Sequence, residues 1–474
     1  MSDFILGIHT GHNATAALIE AGRVIACASE ERFTGSKNHL GFPSQAVQWV
    51  LKFGKIGPKD LTKVALVGSF GAPIHAGEEA QSASWLMRSL VVLYRPGAWL
   101  RKFYGWAAYH VPVLRGFGNW CYCTVVDWVG SIVSRNEREG VAKRLDVPLD
   151  KVVIYEHHLC HAATAAYLSP FNHDDQLVLT CDGEGDKLCA TVTRYENGQL
   201  KRIASTPLGN SIGWIYMDLT RYLGMKAGEH EYKVMGLAPY AKPENVDRVY
   251  RKIRHIISLD SSNPLVHRSI FDTHQSYRFM AEKLRRYRFD DVAGAFQRLV
   301  EELLVEWVRA AIRKTGLQTV AAAGGVFMNV KANQKIAELP EVKHFFPTPT
   351  SGDESNAIGT AFLAYADHLR SRGKQVEIAP VETLYWGPEY SRQEIDAFLK
   401  EAVSSESFEL AHPDDINEAV AELLSQGQVV ARVSGRMEWG ARALGNRSIL
   451  AHPSDPETVR IINEYVKNRD FWMP

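Results

Sequence analysis

Residues 4–29 read FILGIHTGHNATAALIEAGRVIACAS, and this stretch decides the fold that the chain predicts. An apolar run ending at Ile8 predicts a strand, a polar turn follows, and residues 14–20 and 23–29 predict two more strands around a tight turn. Residues 176–205, QLVLTCDGEGDKLCATVTRYENGQLKRIAS, repeat this order of strand, polar turn and hairpin. The repeat predicts a duplicated α/β domain whose two polar turns face a shared ligand across a cleft.

The composition is that of an ordinary globular protein. The chain has 474 residues, which is enough for two or more domains, and its formal net charge is zero. No basic surplus therefore favours nucleic acid as a partner. The six cysteines include no CxxC pair, and the first residues lack the basic and apolar regions of a secretion signal. We therefore expect reduced thiols and a cytoplasmic location.

The segment 84–133 differs from the rest of the chain in its aromatic content. Tryptophan and tyrosine recur through it, and arginines interrupt its apolar runs well before the ~18 residues that a membrane span needs. We interpret it as an aromatic helical insertion packed on the main domain. The alternative is a basic amphipathic surface that contacts a membrane or covers an apolar substrate.

Three histidines within five residues, His157, His158 and His161, precede an acidic glycine-rich turn that begins at Asp182. On a helix, His157 and His161 lie one turn apart and face the same way, so both can reach one divalent ion. Asp182 follows a buried apolar strand and adds a carboxylate to the set. Asp353, at a loop–helix junction, is placed to be a fourth ligand. The alternatives are capping or core packing for the histidines and a helix N-cap for Asp353.

Glycines after two predicted strands indicate backbone that can approach a nucleotide closely. Gly183 lies in the acidic turn, while Gly324 and Gly325 follow the apolar strand Thr319–Ala323, with Asn329 soon after. Because glycine has no Cβ atom, such turns let N–H groups reach phosphate oxygens or a ribose. A purely structural turn is the commoner explanation for an isolated Gly-Gly pair.

Six motifs in a fixed order give the chain a family resemblance that no single motif would. They are Gly7–Ala17 (GIHTGHNATAA), Glu30–Thr34 (EERFT), His157–Ala163 (HHLCHAA), Glu231–Tyr240 (EYKVMGLAPY), Gly324–Asn329 (GGVFMN) and Gly435–Ser448 (GRMEWGARALGNRS). With these motifs, which cover nearly the whole chain, it resembles the NodU/CmcH family of O-carbamoyltransferases. Members of that family modify nodulation factors and antibiotics.

The resemblance implies a duplicated actin-like ATPase (ASKHA) fold over residues 1–370, like that of tRNA threonylcarbamoyl transferases. His12 would be the general base that deprotonates the acceptor hydroxyl, a task that suits an imidazole. The oligomeric state stays open, with a homodimer as one alternative. The resemblance also implies a site for a divalent metal, Fe²⁺ or a Zn²⁺-like ion, formed by His157, His161, Asp182 and Asp353.

The C-terminal residues 381–474 resemble part of a threonylcarbamoyl-AMP synthase (YrdC)-like domain. There carbamoyl phosphate and ATP, with Mg²⁺, would give carbamoyl adenylate and pyrophosphate, and a small-molecule hydroxyl would then accept the carbamoyl group. Family members continue past Pro474, so we expect this domain to be truncated. Guanidinium and neutral polar groups suit phosphate and amide ligands, and the last motif supplies Arg436, Arg442, Asn446, Arg447 and Ser448.

Two other functions stay open on the sequence. An actin-like sugar kinase or ATPase would use the same turns for phosphoryl transfer, although such enzymes need carboxylates and magnesium rather than paired imidazoles. A truncated module that binds nucleotide without turnover would need none of the catalytic residues. The products formed from carbamoyl phosphate and ATP distinguish the three functions.

Overall fold

The computed structural model describes residues 3–68, 134–405, 409–470 and 472–473. The chain divides into two compact units, Met1–Val381 and Glu382–Pro474. The aromatic insertion expected at 84–133 lies outside the described residues. Among the helices that are described, none is both long and apolar enough to cross a membrane.

The first unit begins with a five-stranded mixed sheet. Its strands are β1 (Phe4–His9), β2 (Thr15–Glu20), β3 (Arg23–Ser29), β4 (Lys63–Val67) and β5 (Val152–Tyr155). They lie in the order β3-β2-β1-β4-β5, with the first three antiparallel and β4 and β5 added in parallel. Helices cover both faces of β2, which explains why its apolar run is continuous rather than alternating.

A second five-stranded sheet repeats this arrangement. Its strands are β6 (Gln176–Gly185), β7 (Leu188–Glu196), β8 (Gln199–Pro207), β11 (Thr319–Ala323) and β12 (His344–Pro347). Two short strands, β9 (Ile257–Leu259) and β10 (His267–Ser269), form a separate pair. The order is β12-β11-β6-β7-β8, again with three antiparallel strands and two parallel ones. The predicted α/β class and the repeat of strand and hairpin are both confirmed.

The acidic turn after β6 differs from its prediction. The sequence predicts a strand that ends at Cys181, but β6 continues to Gly185, which pairs with Leu188 of β7. The ladder is irregular between Cys181 and Gly185, as in a bulge, where a strand bends and re-aims a side chain. Asp182 therefore belongs to a distorted hairpin rather than to a free loop.

Helices surround and separate the two sheets. They span Glu31–Thr34, Ser44–Phe53, 134–145, His157–Leu168, Ile212–Tyr222, Glu231–Leu237, Pro243–Ile253, Ser276–Lys283, Phe289–Thr315, Val330–Ala337 and Asn356–Ser371. Asn356–Ser371 packs on β1 and β4, whereas His157–Leu168 packs on β6 and β11. Because these two buried helices also pack on each other, their first turns meet between the sheets.

The second unit contains a small antiparallel pair, β13 (Val430–Val433) and β14 (Arg447–Leu450). Trp386 and Trp439 are its buried tryptophans, with ring centroids 5.5 Å apart. The loop between the two strands carries the last sequence motif. The helices of this unit are Arg392–Ser405, Ile416–Ser425 and Pro456–Ile461, followed by a π-helical turn at Ile462–Val466.

Candidate metal centre

His157 and His161 occupy the first two turns of the helix His157–Leu168. The helix begins where the Glu156 carboxylate accepts a hydrogen bond from the backbone N–H of Leu159 (2.7 Å), a cap that contributes about 1 kcal/mol. Both imidazoles are buried, and their ring centroids lie 4.8 Å apart. The helix therefore presents two ring nitrogens together, as their spacing predicts.

Asp182 and Asp353 reach these histidines from two other elements. Asp182 lies in β6, and its Oδ2 is 3.3 Å from Nε2 of His157 and 3.3 Å from Nε2 of His161. Asp353 opens the short turn before the helix Asn356–Ser371. Its Oδ1 is 3.5 Å from Nε2 of His157 and 3.3 Å from Nε2 of His161. The tertiary fold thus brings all four predicted ligands together.

These four side chains fit a four-coordinate metal ion. One ligand atom from each lies within 4.8 Å of every other. An ion bound by nitrogen and oxygen at about 2.1 Å sets tetrahedral ligand separations of about 3.4 Å. The nitrogen–oxygen separations of 3.3–3.5 Å match that value. The four nitrogen–oxygen separations therefore suit a bound divalent ion.

The structural alternatives apply to neighbouring residues. His158 is fully buried, and its Nδ1 shares a hydrogen bond with Oγ1 of Thr180 (2.9 Å), so this histidine has a packing role. The N-cap of the helix after Asp353 is Ser355, and no side chain caps that helix. The helix-cap alternative for Asp353 is therefore wrong.

The charges of the cluster depend on one another. Burial lowers the pKa of His157, but the carboxylates of Asp353 and Asp182 outweigh burial and raise that pKa to about 9. Burial also lowers the pKa of His161, and hydrogen bonds to the same two carboxylates raise it above its ordinary value. For Asp182, burial raises the pKa, whereas both imidazoles bring it well below its usual range. The histidines must therefore release protons when they bind a metal.

The predicted nucleotide-binding glycines lie against Asp182. The backbone N–H groups of Gly183 and Gly325 donate to its Oδ1 over 2.7 and 3.2 Å, which leaves Oδ2 facing the histidines. Gly324 has a φ of 98°, and a Cβ atom there would lie 2.3 Å from the carbonyl oxygen of Cys181. Only glycine fits this close approach. The glycine turns and the metal cluster therefore form one structural unit.

The side chain of Asn329 bonds to a buried amide. Its Nδ2 donates to Oε1 of Gln297 (3.0 Å), and its Oδ1 accepts from Nε2 of Gln297 (2.9 Å). The same Oδ1 accepts from the backbone N–H of Ala332 (3.1 Å) and caps the helix Val330–Ala337. Tyr216 donates its hydroxyl proton to Oε1 of Gln297 (2.9 Å). These bonds fix the orientation of the Asn329 amide.

His12 lies in the turn between β1 and β2 with an exposed side chain. Its carbonyl oxygen accepts a hydrogen bond from Nε2 of His9 (3.1 Å). Burial raises the pKa of the Glu231 carboxyl, and the nearby His12 counteracts part of that rise. The imidazole of His12 is accessible from solvent.

Three buried polar residues beside the cluster are missing from the predicted site. His9, the last residue of β1, has Nε2 3.9 Å from a carboxylate oxygen of the cluster, and burial lowers its pKa to about 4. The amide nitrogen of Asn356 lies 3.1 Å from Nε2 of His161. Glu137 accepts a hydrogen bond from the hydroxyl of Thr10 (2.8 Å), and burial raises its pKa to about 7. In the chain, His9 and Asn356 each lie three residues from a predicted site residue, His12 and Asp353, whereas no sequence pattern marks Glu137.

In the second unit, two of the predicted anion ligands bond to backbone. Arg436 donates to the carbonyl oxygen of Trp386 (2.7 Å). Burial lowers the pKa of Arg436. The guanidinium of Arg447 donates over 2.8–3.2 Å to the carbonyl oxygens of Pro388, Ser434, Gly435 and Asn446. Arg436 in the loop and Arg447 at the start of β14 therefore both bond to backbone around the loop between β13 and β14.

The other three predicted residues of this motif differ in exposure. Asn446 donates its amide proton to the carbonyl oxygen of Arg436 (2.8 Å), and the hydroxyl of Ser448 accepts from the backbone N–H of Gly445 (2.9 Å). Arg442 is exposed. Among the three arginines, Arg442 is thus the one whose guanidinium faces solvent.

Family models match two parts of the chain. Residues 119–362 match the model described as Carbamoyltransferase N-terminus, and residues 421–474 match the model described as Carbamoyltransferase C-terminus. The first match spans more than half of the chain and includes all four residues of the metal cluster.

Two curated relatives are similar over almost the entire chain. An uncharacterized protein of Synechocystis sp. is 27% identical over 484 residues, covering 99% of this chain and 74% of its own length. Nodulation protein NolNO of Sinorhizobium fredii is 27% identical over 471 residues, covering 98% of this chain and 62% of its own length. Among solved structures, component A of (R)-2-hydroxyglutaryl-CoA dehydratase from Acidaminococcus fermentans is 14% identical, with a TM-score of 0.40, and covers 77% of this chain and 98% of that one.

Proposed function

The chain belongs to the carbamoyltransferase family, and we propose on this premise that it transfers a carbamoyl group to the hydroxyl of a small molecule in an ATP-dependent reaction. Carbamoyl phosphate is the proposed donor, and a sugar, an antibiotic or a related natural product is the proposed acceptor. The four-residue metal cluster carries the proposal, because it lies within the segment that matches the family's N-terminal model.

The proposed ligands are Nε2 of the two histidines and one oxygen of each aspartate. Imidazole and carboxylate donors suit Fe²⁺ or a Zn²⁺-like ion. A divalent ion bound there would polarise the carbonyl oxygen of the carbamoyl group. The backbone N–H groups of Gly183 and Gly325 support this arrangement, since they hold Asp182 Oδ1 and so keep its Oδ2 directed at the histidines.

His12 is the proposed general base. Its exposed imidazole lies in the first turn of the repeat, and the metal cluster includes a residue of the corresponding turn of the second repeat, Asp182. An imidazole is the side chain best suited to accept the proton of an acceptor hydroxyl near neutral pH. The proton would pass from the hydroxyl oxygen to His12 as that oxygen attacks the carbamoyl carbon of carbamoyl adenylate, and the bond from this carbon to the phosphate oxygen would break to release AMP.

The C-terminal unit is the proposed place of donor activation. Carbamoyl phosphate, ATP and one water molecule, in the presence of Mg²⁺, would give carbamoyl adenylate, pyrophosphate and phosphate. The exposed Arg442 would contact these anions, whereas Arg436, Asn446, Arg447 and Ser448 bond within the motif that carries it. The match to the family's C-terminal model supports this role.

The finer fold assignment is also a proposal. We assign residues 1–370 to a duplicated actin-like (ASKHA) domain and residues 381–474 to part of a threonylcarbamoyl-AMP synthase (YrdC)-like domain. The shared strand order of the two large sheets supports the first assignment, since duplicated halves keep their topology. The nucleotide would then lie against the glycine turns at Gly183 and Gly324-Gly325, with the amide of Asn329 beside it.

The proposed function is tested by incubating the protein with carbamoyl phosphate, ATP, Mg²⁺ and a panel of hydroxyl-bearing sugars and antibiotics. Pyrophosphate release with carbamoylation of an acceptor, detected by mass spectrometry, is the expected result. The His161→Ala variant should release pyrophosphate yet leave the acceptor unmodified. ADP with a phosphorylated acceptor would show a kinase instead, and nucleotide binding with no product would show a binding module.

A further inference from the structure

His9 ends β1 and is buried, with an exposed fraction of 4%. Its Nε2 lies 3.1 Å from the carbonyl oxygen of His12 and 3.9 Å from Oδ2 of Asp353. One ring nitrogen therefore faces both a proposed metal ligand and the residue proposed as general base. In the described part of the chain, these contacts connect the first turn of one repeat directly to the metal cluster of the other.

The hydrogen bond to His12 determines how His9 is used. A carbonyl oxygen can only accept, so Nε2 of His9 carries the proton that it donates, and Nδ1 is the bare nitrogen of the neutral ring. Within the described residues, Nδ1 is buried without a hydrogen-bond partner. Because the Nε2 proton points to the carbonyl oxygen, the Nε2 lone pair is not available to a metal. The geometry fits a residue that orients the site better than it fits a fifth ligand.

The rest of the turn is held by bonds that do not reach His12 itself. The backbone N–H of Gly41 donates to the carbonyl oxygen of Thr10 (2.9 Å), and the hydroxyl of Thr15 donates to the carbonyl oxygen of Asn13 (2.7 Å). These bonds hold the two ends of the turn. The bond from His9 holds its middle, where the exposed imidazole of His12 begins.

We propose that His9 is a positioning residue: its hydrogen bond holds the backbone of His12 while its buried ring packs 3.9 Å from Asp353, and it so fixes the distance between the base and the metal cluster. The effect of His9 on catalysis rests on the proposed function, whereas the hydrogen bond from His9 to the backbone of His12 does not. Supporting residues of this kind typically change activity or metal affinity by about 10–100-fold when they are removed.

Two variants separate positioning from packing. His9→Leu removes the donor, whereas His9→Gln keeps an N–H near the position of Nε2. His158→Leu is the matched control, because His158 is another buried imidazole of the same region whose hydrogen bond goes to Thr180. Circular dichroism and thermal melting establish which variants fold.

The first measurement needs no activity. The protein is loaded with Co²⁺, and the paramagnetic shifts of the His12 imidazole are followed by NMR with labelled histidine, assigned with His12→Gln. In the wild type, in His9→Gln and in His158→Leu we expect one His12 signal with a defined paramagnetic shift. In His9→Leu the distance from His12 to Co²⁺ should vary, so the His12 signal should be averaged over several positions. The visible spectrum of Co²⁺ should be the same in all four proteins. An unchanged His12 signal in His9→Leu would overturn the proposal, as would a Co²⁺ spectrum that changes with the loss of His9, which would make it a ligand.

The second measurement uses carbamoyl transfer. His9→Leu should lower kcat by about 10–100-fold with little change in the KM for the acceptor, and His9→Gln should restore most of the loss. Equal kcat in His9→Leu and the wild type contradicts the positioning role. If the wild type transfers no carbamoyl group, the proposed function fails, while the Co²⁺ and NMR results still decide the tie between His9 and His12.

Discussion

The metal cluster and the C-terminal arginine motif are both dense in polar side chains, but the structure uses them differently. In the cluster, Nε2 of His161 faces two carboxylate oxygens at 3.3 Å. In the motif, Arg447 donates instead to backbone carbonyl oxygens. Side chains that face one another can exchange their partners for an ion, whereas side chains bonded to backbone hold a loop in shape. The difference shows that a dense polar motif is not by itself a binding site. What distinguishes binding residues from structural ones is which partners their polar groups bond to.

The largest expected effect would come from removing one ligand of the cluster. The His161→Ala variant should lose the bound metal and abolish carbamoyl transfer, because only three of the four proposed ligands remain to hold the ion. Elemental analysis of the purified protein measures the metal content. The control His158→Ala, which removes an equally buried imidazole, should keep its metal. If metal content in His161→Ala equals that of the wild type, this histidine does not belong to the ligand set.

The next effect separates the base from the metal. His12→Ala should lower kcat by about 10²–10⁴-fold, since the acceptor hydroxyl loses its proton acceptor, with metal content unchanged. Steady-state rates at saturating acceptor, together with elemental analysis, measure both quantities. Loss of metal in this variant would move His12 into the cluster and remove the distinction between base and ligand.

A third prediction concerns the buried carboxyl of Glu137, which accepts a hydrogen bond from Thr10 in the turn after β1. Its pKa is about 7 instead of the ordinary 4.5, so the unfolded chain ionises first and wild-type stability falls as pH rises from about 4.5 to 7. Glu137→Gln removes this dependence. The variant should gain about 3 kcal/mol over the wild type between pH 4 and pH 8.

Chemical denaturation of both proteins across this pH range measures the gain. The amide of the variant can still accept the hydroxyl proton of Thr10, so the hydrogen bond at the first turn is preserved. Parallel curves for the two proteins at all pH values would show that the pKa of this carboxyl is the same in the folded and unfolded chain.

The smallest effects are expected in the arginine motif, where Arg447 bonds to backbone and Arg442 is exposed. Arg447→Ala should lower the free energy of unfolding by about 2 kcal/mol, because carbonyl oxygens lose a charged donor. Arg442→Ala should leave stability unchanged and weaken binding of carbamoyl phosphate about tenfold. Denaturation and isothermal titration of the full chain measure the two quantities. The opposite pattern, with Arg447 needed for binding and not for stability, would make the motif a binding site throughout.

Local patterns were sufficient to predict part of the site. The one-turn spacing of His157 and His161 predicts a shared face, and the cluster forms on that face. The strand–turn–hairpin repeat predicts two similar sheets, and both have the same strand order. The motifs predict the family, which the match over residues 119–362 confirms. Each of these features depends on residues that are near one another in the chain or on an ordered set of motifs.

Other features depended on contacts between distant segments. Three histidines stand together in the sequence, yet packing directs His158 to Thr180, whereas the helix crossing brings His161 to Asp353. The same spacing rule could not anticipate Glu137, because the hydroxyl of Thr10 that meets it lies 127 residues away.

The sequence by itself determined the repeated strands, the paired histidines on one helix face and the family, because hydrophobic period and local spacing act over a few residues. Only the tertiary structure decided that Asp182 and Asp353 meet that helix, and that His9 faces both the cluster and His12. It also decided that Arg447 donates its hydrogen bonds to backbone carbonyl oxygens. The physical reason is that hydrogen-bonding groups take whichever partners the packed elements bring within about 3 Å, and residue type alone does not specify those partners.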